Sequence, residues 1–169
     1  MTSTTPTSRP SPENEFVLTR VFNAPREIVF KAWTDPKQMA RWWGPKSFTN
    51  PVCQMDVRPG GKMRIVMRGP DGKEYPFKGV FLEVVEPERL VYTNDSSEHG
   101  QEWHNLVNPD REKGEPITTV TFEDESGKTR LTVRMVFPST KLRDGYLRGG
   151  LSQGFEQSLD RLEDVLRGA

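Results

Sequence analysis

Between about Thr140 and Arg167, seven apolar residues recur at spacings of three and four: Leu147, Leu151, Phe155, Leu159, Leu162, Val165 and Leu166. That spacing predicts one long helix with a single apolar stripe, an arc of about 120° on a wheel of ~100° per residue. Arg148, Gln153, Glu156, Gln157, Asp160, Arg161, Glu163 and Asp164 fall largely outside the stripe, so one face of the helix needs a cover from elsewhere in the chain. The first half of the stretch also carries Gly145, Gly149, Gly150 and Gly154. Each costs roughly 1 kcal/mol against helix relative to Ala, so something must offset them. Gly154 and Ser158 lie beside Leu147 and Leu151 on the wheel, which makes the inner face bulky towards its C-terminal end and nearly bare further up. Two readings are open: the glycines permit close packing of backbone on the sheet, or they leave a cavity.

The elements available to cover that stripe are strands. Glu15–Phe22 is rich in β-branched and aromatic residues and stops at Asn23-Ala24-Pro25. Pro25 suits the first turn of a helix whose buried side is expected to be Ile28, Val29, Ala32 and Trp33. Asp35-Pro36 opens a second short helix, which gathers Met39, Trp42 and Trp43 before Gly44-Pro45 ends it. Strands follow over about Phe48–Val57 and Lys62–Arg68, joined by the turn Arg58-Pro59-Gly60-Gly61. In the second of them Met63, Ile65 and Met67 face the core, while Arg64, Val66 and Arg68 face mostly solvent. Tyr75–Val85 sets Phe77, Gly79 and Phe81 on one face and leads through Glu86-Pro87-Glu88 into Arg89–Asn94. Ile117–Glu123 and Thr129–Phe137 form a last hairpin, with Val120 and Phe122 opposite Leu131, Val133 and Met135. The order is a strand, two short helices, about six antiparallel strands and a long helix, an α+β arrangement whose sheet must curl around the final helix. Asp95–Pro116 is too long for an ordinary connection; with Trp103, His99 and His104 in it, it reads as a lid or a disordered insertion.

A chain of 169 residues is long enough for one domain with a real core. Residues 1–14, mostly Thr, Ser and Pro with almost nothing apolar, read as a flexible tail before a single domain over 15–169. Charge is balanced, with 24 basic and 24 acidic residues, so overall electrostatics offer nothing to a nucleic-acid partner. No apolar run approaches the ~18–20 residues of a membrane span, and the N-terminus lacks the apolar core of a secretory signal. Cys53, the one cysteine, has no partner for an intramolecular disulfide and is expected to be a small buried residue in a reducing, cytoplasmic setting.

Several segments carry a resemblance. Arg20-Val21-Phe22-Asn23-Ala24-Pro25, Val29-Phe30-Lys31-Ala32-Trp33-Thr34-Asp35-Pro36 and Arg41-Trp42-Trp43-Gly44-Pro45 resemble the opening of bacterial single-domain proteins grouped with the activator of heat-shock-protein-90 ATPase. Arg58-Pro59-Gly60-Gly61, Gly69-Pro70-Asp71-Gly72, Phe77-Lys78-Gly79-Val80, Pro87-Glu88-Arg89-Leu90, Thr118–Phe122 and Gly154–Leu162 agree in order and spacing. The resemblance runs from about Glu15 to Leu166 and leaves out much of Asp95–Pro116. It implies the START-like (SRPBCC) helix-grip fold shared with pollen-allergen proteins, lipid-binding transfer domains and polyketide aromatase/cyclases. In that fold a curved antiparallel sheet of about six to seven strands grips a C-terminal helix around an apolar cavity. The family name is not an activity for this chain, whose length leaves no room for the additional domain of the chaperone-binding members.

Three function classes follow. The first is binding of a small apolar or aromatic molecule, without a cofactor, in a cavity between sheet and helix. Its expected lining is Met55, Met63, Ile65, Met67, Phe77, Phe81, Tyr92, Val120, Phe122, Met135, Gly154, Phe155 and Ser158, with Trp42 and Trp43 near an entrance and Trp103 in the lid. Arg20 is a candidate polar anchor if it faces inward; on the wet face or in an ion pair it is not. The second class is an aromatase/cyclase-like or hydrolase-like enzyme drawing on Arg20, Tyr92 or His104. The third is a protein-interaction module, as a monomer or a homodimer. His99, Glu102 and His104 match no standard metal-ligand spacing and read as solvated loop residues. Gly60-Gly61 has no helix start after it and reads as a turn rather than a phosphate loop.

Overall fold

The run of β-branched and aromatic residues at the start of the chain forms β1 (Glu15–Phe22), and two short helices follow, α1 (Arg26–Thr34) and α2 (Pro36–Trp42). The computed structural model describes residues 13–168. The expected tail lies, over residues 1–12, outside the described residues. Asn14 is held: its carbonyl accepts from the Phe137 N–H at 2.8 Å and its side-chain amide donates to the Phe137 carbonyl at 2.9 Å. Asp35 separates the two helices, its carboxylate accepting from the Lys37 N–H at 3.0 Å where Pro36 occupies the first turn. On α1 the buried residues are Val29, Phe30, Ala32 and Trp33. Ile28, expected among them, is 52% exposed, and Phe30 takes the inward position.

Six further strands complete the sheet: β2 (Thr49–Met55), β3 (Lys62–Arg68), β4 (Glu74–Val85), β5 (Arg89–Thr93), β6 (Ile117–Glu125) and β7 (Lys128–Val136). All pairs are antiparallel, in the order β1-β7-β6-β5-β4-β3-β2. The first strand therefore closes on the last, and the hairpin rhythm sets the remaining order. Register shifts in β2, between Thr49 and Val52, and in β4, between Phe81 and Glu83, add local twist and help the sheet curl. Alternation places Phe77 and Phe81 of β4, Val120 and Phe122 of β6, and Leu131 and Val133 of β7 in one core. Val66, expected on the solvent face of β3, is buried between Val52 and Pro76 in the neighbouring strands.

The 95–116 stretch contains a short helix, α3 (Gln101–Val107). It is tied down at both ends: Asp95 and Lys78 exchange backbone hydrogen bonds, and the buried Asn94 amide donates to Thr118 Oγ1 at 2.8 Å and to the Pro116 carbonyl at 3.1 Å.

The long C-terminal helix is interrupted. It consists of α4 (Thr140–Arg148) and α5 (Leu151–Leu166), with Gly150 between them at φ +95°. A left-handed residue ends an α-helix, and glycine adopts that conformation without the penalty a Cβ imposes. The apolar spacing continues across the break because Leu151 resumes the stripe, so periodicity alone hides it. Leu159 and Leu162 of α5 are fully buried in the core shared with α1, α2 and the sheet, and Val165 and Leu166 pack on its edge. Ahead of the break, α3 comes so close to α4 that a Cβ on Gly145 would stand 1.8 Å from the Val107 carbonyl oxygen. Gly145→Ala should therefore push α3 away and cost about 1–3 kcal/mol. Gly100→Ala, where a Cβ would meet nothing within 4 Å, serves as the control. Thermal denaturation of the pair would show no difference if the α3–α4 contact does not constrain the fold.

Candidate functional site

The break at Gly150 leaves room. A cavity of about 210 Å³ opens beneath α3 where α4 gives way to α5. One wall is the start of α5, namely Leu151, Gly154, Phe155 and Ser158; the opposite wall is Trp43, Gly44 and Pro45 from the turn after α2, with Met67 of β3. Ser96 and His99, which precede α3, line it together with Trp103 and Val107 of α3 and with Tyr146 of α4. None of the residues lining it is Asp, Glu, Lys or Arg. A larger outer cleft of about 660 Å³ shares Pro45, Met67, His99, Trp103 and Gly149 with it and adds Phe48, Lys73, Glu74, Tyr75 and Glu102 among others.

The floor is fixed by α5. The Gly44 N–H donates to Ser158 Oγ at 2.9 Å, and Arg161, one turn on, directs its guanidinium at the carbonyls of Trp43, Gly44 and Pro45 at 3.0–3.1 Å. Its second amino group reaches the Arg41 carbonyl at 3.2 Å, so one side chain satisfies the carbonyls left over at the end of α2. Partial burial holds the Arg161 pKa below its ordinary value. Gly154 faces the opening: a Cβ there would find only Pro45 Cγ, at 3.8 Å. The glycines of this region thus divide. Gly145 and Gly149 allow the close approach of α3, the latter because a Cβ would stand 2.8 Å from Val107 Cγ2, whereas Gly154 leaves space.

The roof is aromatic. Trp103 stands edge-on to Tyr146 at 5.4 Å and to His99 at 4.4 Å, and His99 in turn meets Tyr75 at 5.6 Å. Edge-to-face pairs at these separations add to the area they bury. Burial raises the Tyr146 pKa, partly offset by its hydrogen bond with Ser96. His99 is not the solvated loop residue expected. Both its ring nitrogens are buried without a hydrogen-bond partner of ordinary geometry; the Pro76 carbonyl is near enough to favour the protonated ring only weakly. Burial first, and then the neighbouring His104, push its pKa down to about 4, against the smaller opposing pulls of Pro76 and Asp95. His104 packs edge-on against Trp103 at 5.0 Å, and Glu102, 88% exposed, pairs with Lys73 at 3.4 Å.

Of the residues expected to line a cavity, Trp43, Met67, Trp103, Gly154, Phe155 and Ser158 come together around this one. Trp42, Met63, Ile65, Phe77, Phe81, Tyr92, Val120 and Phe122 do not; they interdigitate in the main core, with Met55 at its edge. Met135 belongs to a second small cluster with Phe137 and Leu142. The cause is the bulk of the C-terminal half of α5: Leu159 and Leu162, together with Trp33 and Trp42, fill the concave sheet, and this cavity lies instead at the glycine end of the helix. Trp43 packs its ring at 5.8 Å from that of Phe77 and is a wall rather than an exposed entrance. Arg20 is not a polar anchor. It faces α5 and pairs with Asp160 at 2.8 Å and Glu163 at 3.7 Å. Arg20, Tyr92 and His104 therefore do not meet in one cavity. Burial raises the Tyr92 pKa and raises that of the half-buried Cys53 to about 11, which leaves that thiol unreactive. Tyr146, Pro45, Val107 and Leu151 were not foreseen as lining, and their only signal was proximity in sequence to the glycines and to Trp103.

Among the described residues no helix is long and apolar enough to cross a membrane. The family model for Activator of Hsp90 ATPase homolog 1-like protein matches residues 23–167. Solved structures similar to this chain include a Nitrosomonas europaea protein, 26% identical over 94% of this chain and 97% of that one, with a TM-score of 0.79. A Chromobacterium violaceum protein is 28% identical over 90% and 96%, with a TM-score of 0.73. A Rhodobacter sphaeroides protein at 20% identity, covering 95% and 97% with a TM-score of 0.80, shares the fold. No curated protein matches the sequence.

His99 supplies a pH test of this geometry. Its pKa is lower in the folded chain than the ordinary value of 6.5, so between pH 6.5 and about 4 the unfolded chain takes up a proton that the folded one does not. Its contribution to stability is complete above pH 6.5 and declines as the pH falls through that window. Urea denaturation at pH 7 and pH 4.5 should show a smaller acid-induced loss for His99→Phe than for the parent. Equal losses would place the imidazole in solvent.

Proposed function

The chain belongs to the activator of Hsp90 ATPase homolog 1-like family, and we propose that on this helix-grip scaffold it binds a small apolar or aromatic molecule in the cavity at the α4–α5 break. The family's fold is compatible with ligand binding and with protein binding alike, so the cavity carries the choice. A concave apolar space of about 210 Å³, walled by Trp43, Met67, Trp103, Tyr146 and Phe155 and joined to an outer cleft, has the shape and composition of a small-molecule site. An apolar cavity of about 150 Å³ is already enough for benzene, so one substituted ring or a fused pair fits. Met67 and Phe155 are only partly buried and can adjust to an occupant. We place the protein in the cytoplasm, consistent with its lone free thiol.

Gly154→Leu tests this reading. Replacing a mid-helix glycine that faces open space should raise stability by about 1 kcal/mol, or roughly 2–4 °C in Tm for a chain of this size. The same side chain should fill the cavity and abolish the quenching of tryptophan fluorescence by naphthalene. A variant that is more stable yet binds naphthalene as the parent does would remove the cavity from consideration, as would a parent that shows no binding.

A further inference from the structure

The cavity's polar inventory narrows its occupant. No charged side chain lines it, and Lys73, the cation of the outer cleft, is already paired with Glu102. A carboxylate or an ammonium entering the inner space would lose its hydration and gain no counter-charge, which burial in apolar surroundings penalises heavily. Among the polar groups of the wall, Ser158 Oγ already accepts the Gly44 N–H, and Ser96 and Tyr146 both lie along it. Four residues in the described chain have buried side-chain polar atoms without a partner: Trp33, Asn50, Tyr92 and His99. Of these only His99 borders the cavity. Buried polar groups are otherwise almost always paired, and a neutral imidazole offers one acceptor and one donor nitrogen. Its flanks are aromatic edges, Trp103 on one side and Tyr75 on the other, which suit a flat neighbour.

Resting on the binding function proposed above, we propose that the occupant is an uncharged molecule of one or two aromatic rings bearing a hydroxyl, with that hydroxyl against the imidazole of His99. The rings fill the space left by Gly154 between Trp43 and Phe155, and His99 supplies the polar contact that orients them. Fatty acids and aromatic carboxylates are thereby poor ligands, despite the apolar walls.

Three probes of matched shape separate the terms at pH 7: 2-naphthol, naphthalene and 2-naphthoate, titrated into the full chain and followed by calorimetry and by tryptophan fluorescence. 2-Naphthol should bind about tenfold more tightly than naphthalene, the scale of one well-placed buried hydrogen bond, and 2-naphthoate more weakly than either. In His99→Phe the ratio of naphthol to naphthalene affinity should collapse to within about twofold. With the parent protein, ¹⁵N resonances of the His99 ring should move on adding 2-naphthol and stay in place with naphthalene, a readout independent of whether the variant folds. Naphthoate binding as tightly as naphthol, a naphthol preference that survives in His99→Phe, or unmoved ring nitrogens would each overturn the assignment. Naphthalene binding with no preference for naphthol would overturn it too and leave the binding cavity standing; binding of none of the three would remove both.

Discussion

The structure depends on how α5 spends its length. Its C-terminal half presents Leu159 and Leu162, both fully buried, to a sheet already lined with large apolar groups and to the tryptophans of α1 and α2. Burying a leucine of this kind is worth roughly 1.5–3 kcal/mol relative to exposure, so this half is a clamp. Its N-terminal half presents Gly154 and Ser158 instead, and the clamp prevents the helix from sliding inward to close what they leave open. Arg161 sits at the boundary and ties the turn after α2 to the helix through carbonyls of four residues. A void persists in a protein when its surroundings are held by contacts elsewhere, and here those contacts are one helical turn away.

The elements governed by local chemistry were legible from sequence. The strands from Glu15, Lys62 and Thr129 alternate or are rich in β-branched residues, and each is bounded by turn residues or proline; β3 spans Lys62–Arg68, and β1 spans Glu15–Phe22. Sheet order followed from hairpins, with the long helix left as the only large cover. What stayed hidden depended on contacts between segments distant in sequence. The Gly149-Gly150 pair could have been a costly stretch inside one helix or the end of it, and the choice was made by α3, whose Val107 carbonyl leaves no room for a Cβ on Gly145. That helix was itself invisible, being seven residues long and without a buried stripe.

The same distinction explains the lining. Inner-face residues such as Phe81, Val120 and Phe122 were identifiable as inward by alternation, but inward is not the same as facing a void. Whether a core position touches another side chain or empty space depends on the volume of what stands opposite, and sequence periodicity carries no volume information across the fold. Trp103 and Gly154, which line the cavity, stood out in the sequence for a different reason: a large aromatic in a long connection and a small residue on a packed face are both exceptions to the surrounding pattern. His99 was noticed only as half of a histidine pair, and its burial comes from Tyr75 and Trp103, which no spacing rule connects to it.

A separation of duties results. The sheet, α1, α2 and the end of α5 supply the close-packed body, while the cavity is assembled from the turn after α2, the connection carrying α3, and the break between α4 and α5. These are segments that meet over the open end of the sheet without contributing much to its interior. Exchanging Ser96, His99 or Tyr146 would alter the shape and polarity of the cavity while leaving Leu159, Leu162 and the strands packed as they are. A scaffold built this way can keep its fold while the lining of its cavity changes, because Ser96, His99 and Trp103 line the cavity and lie outside the core cluster that holds the body together.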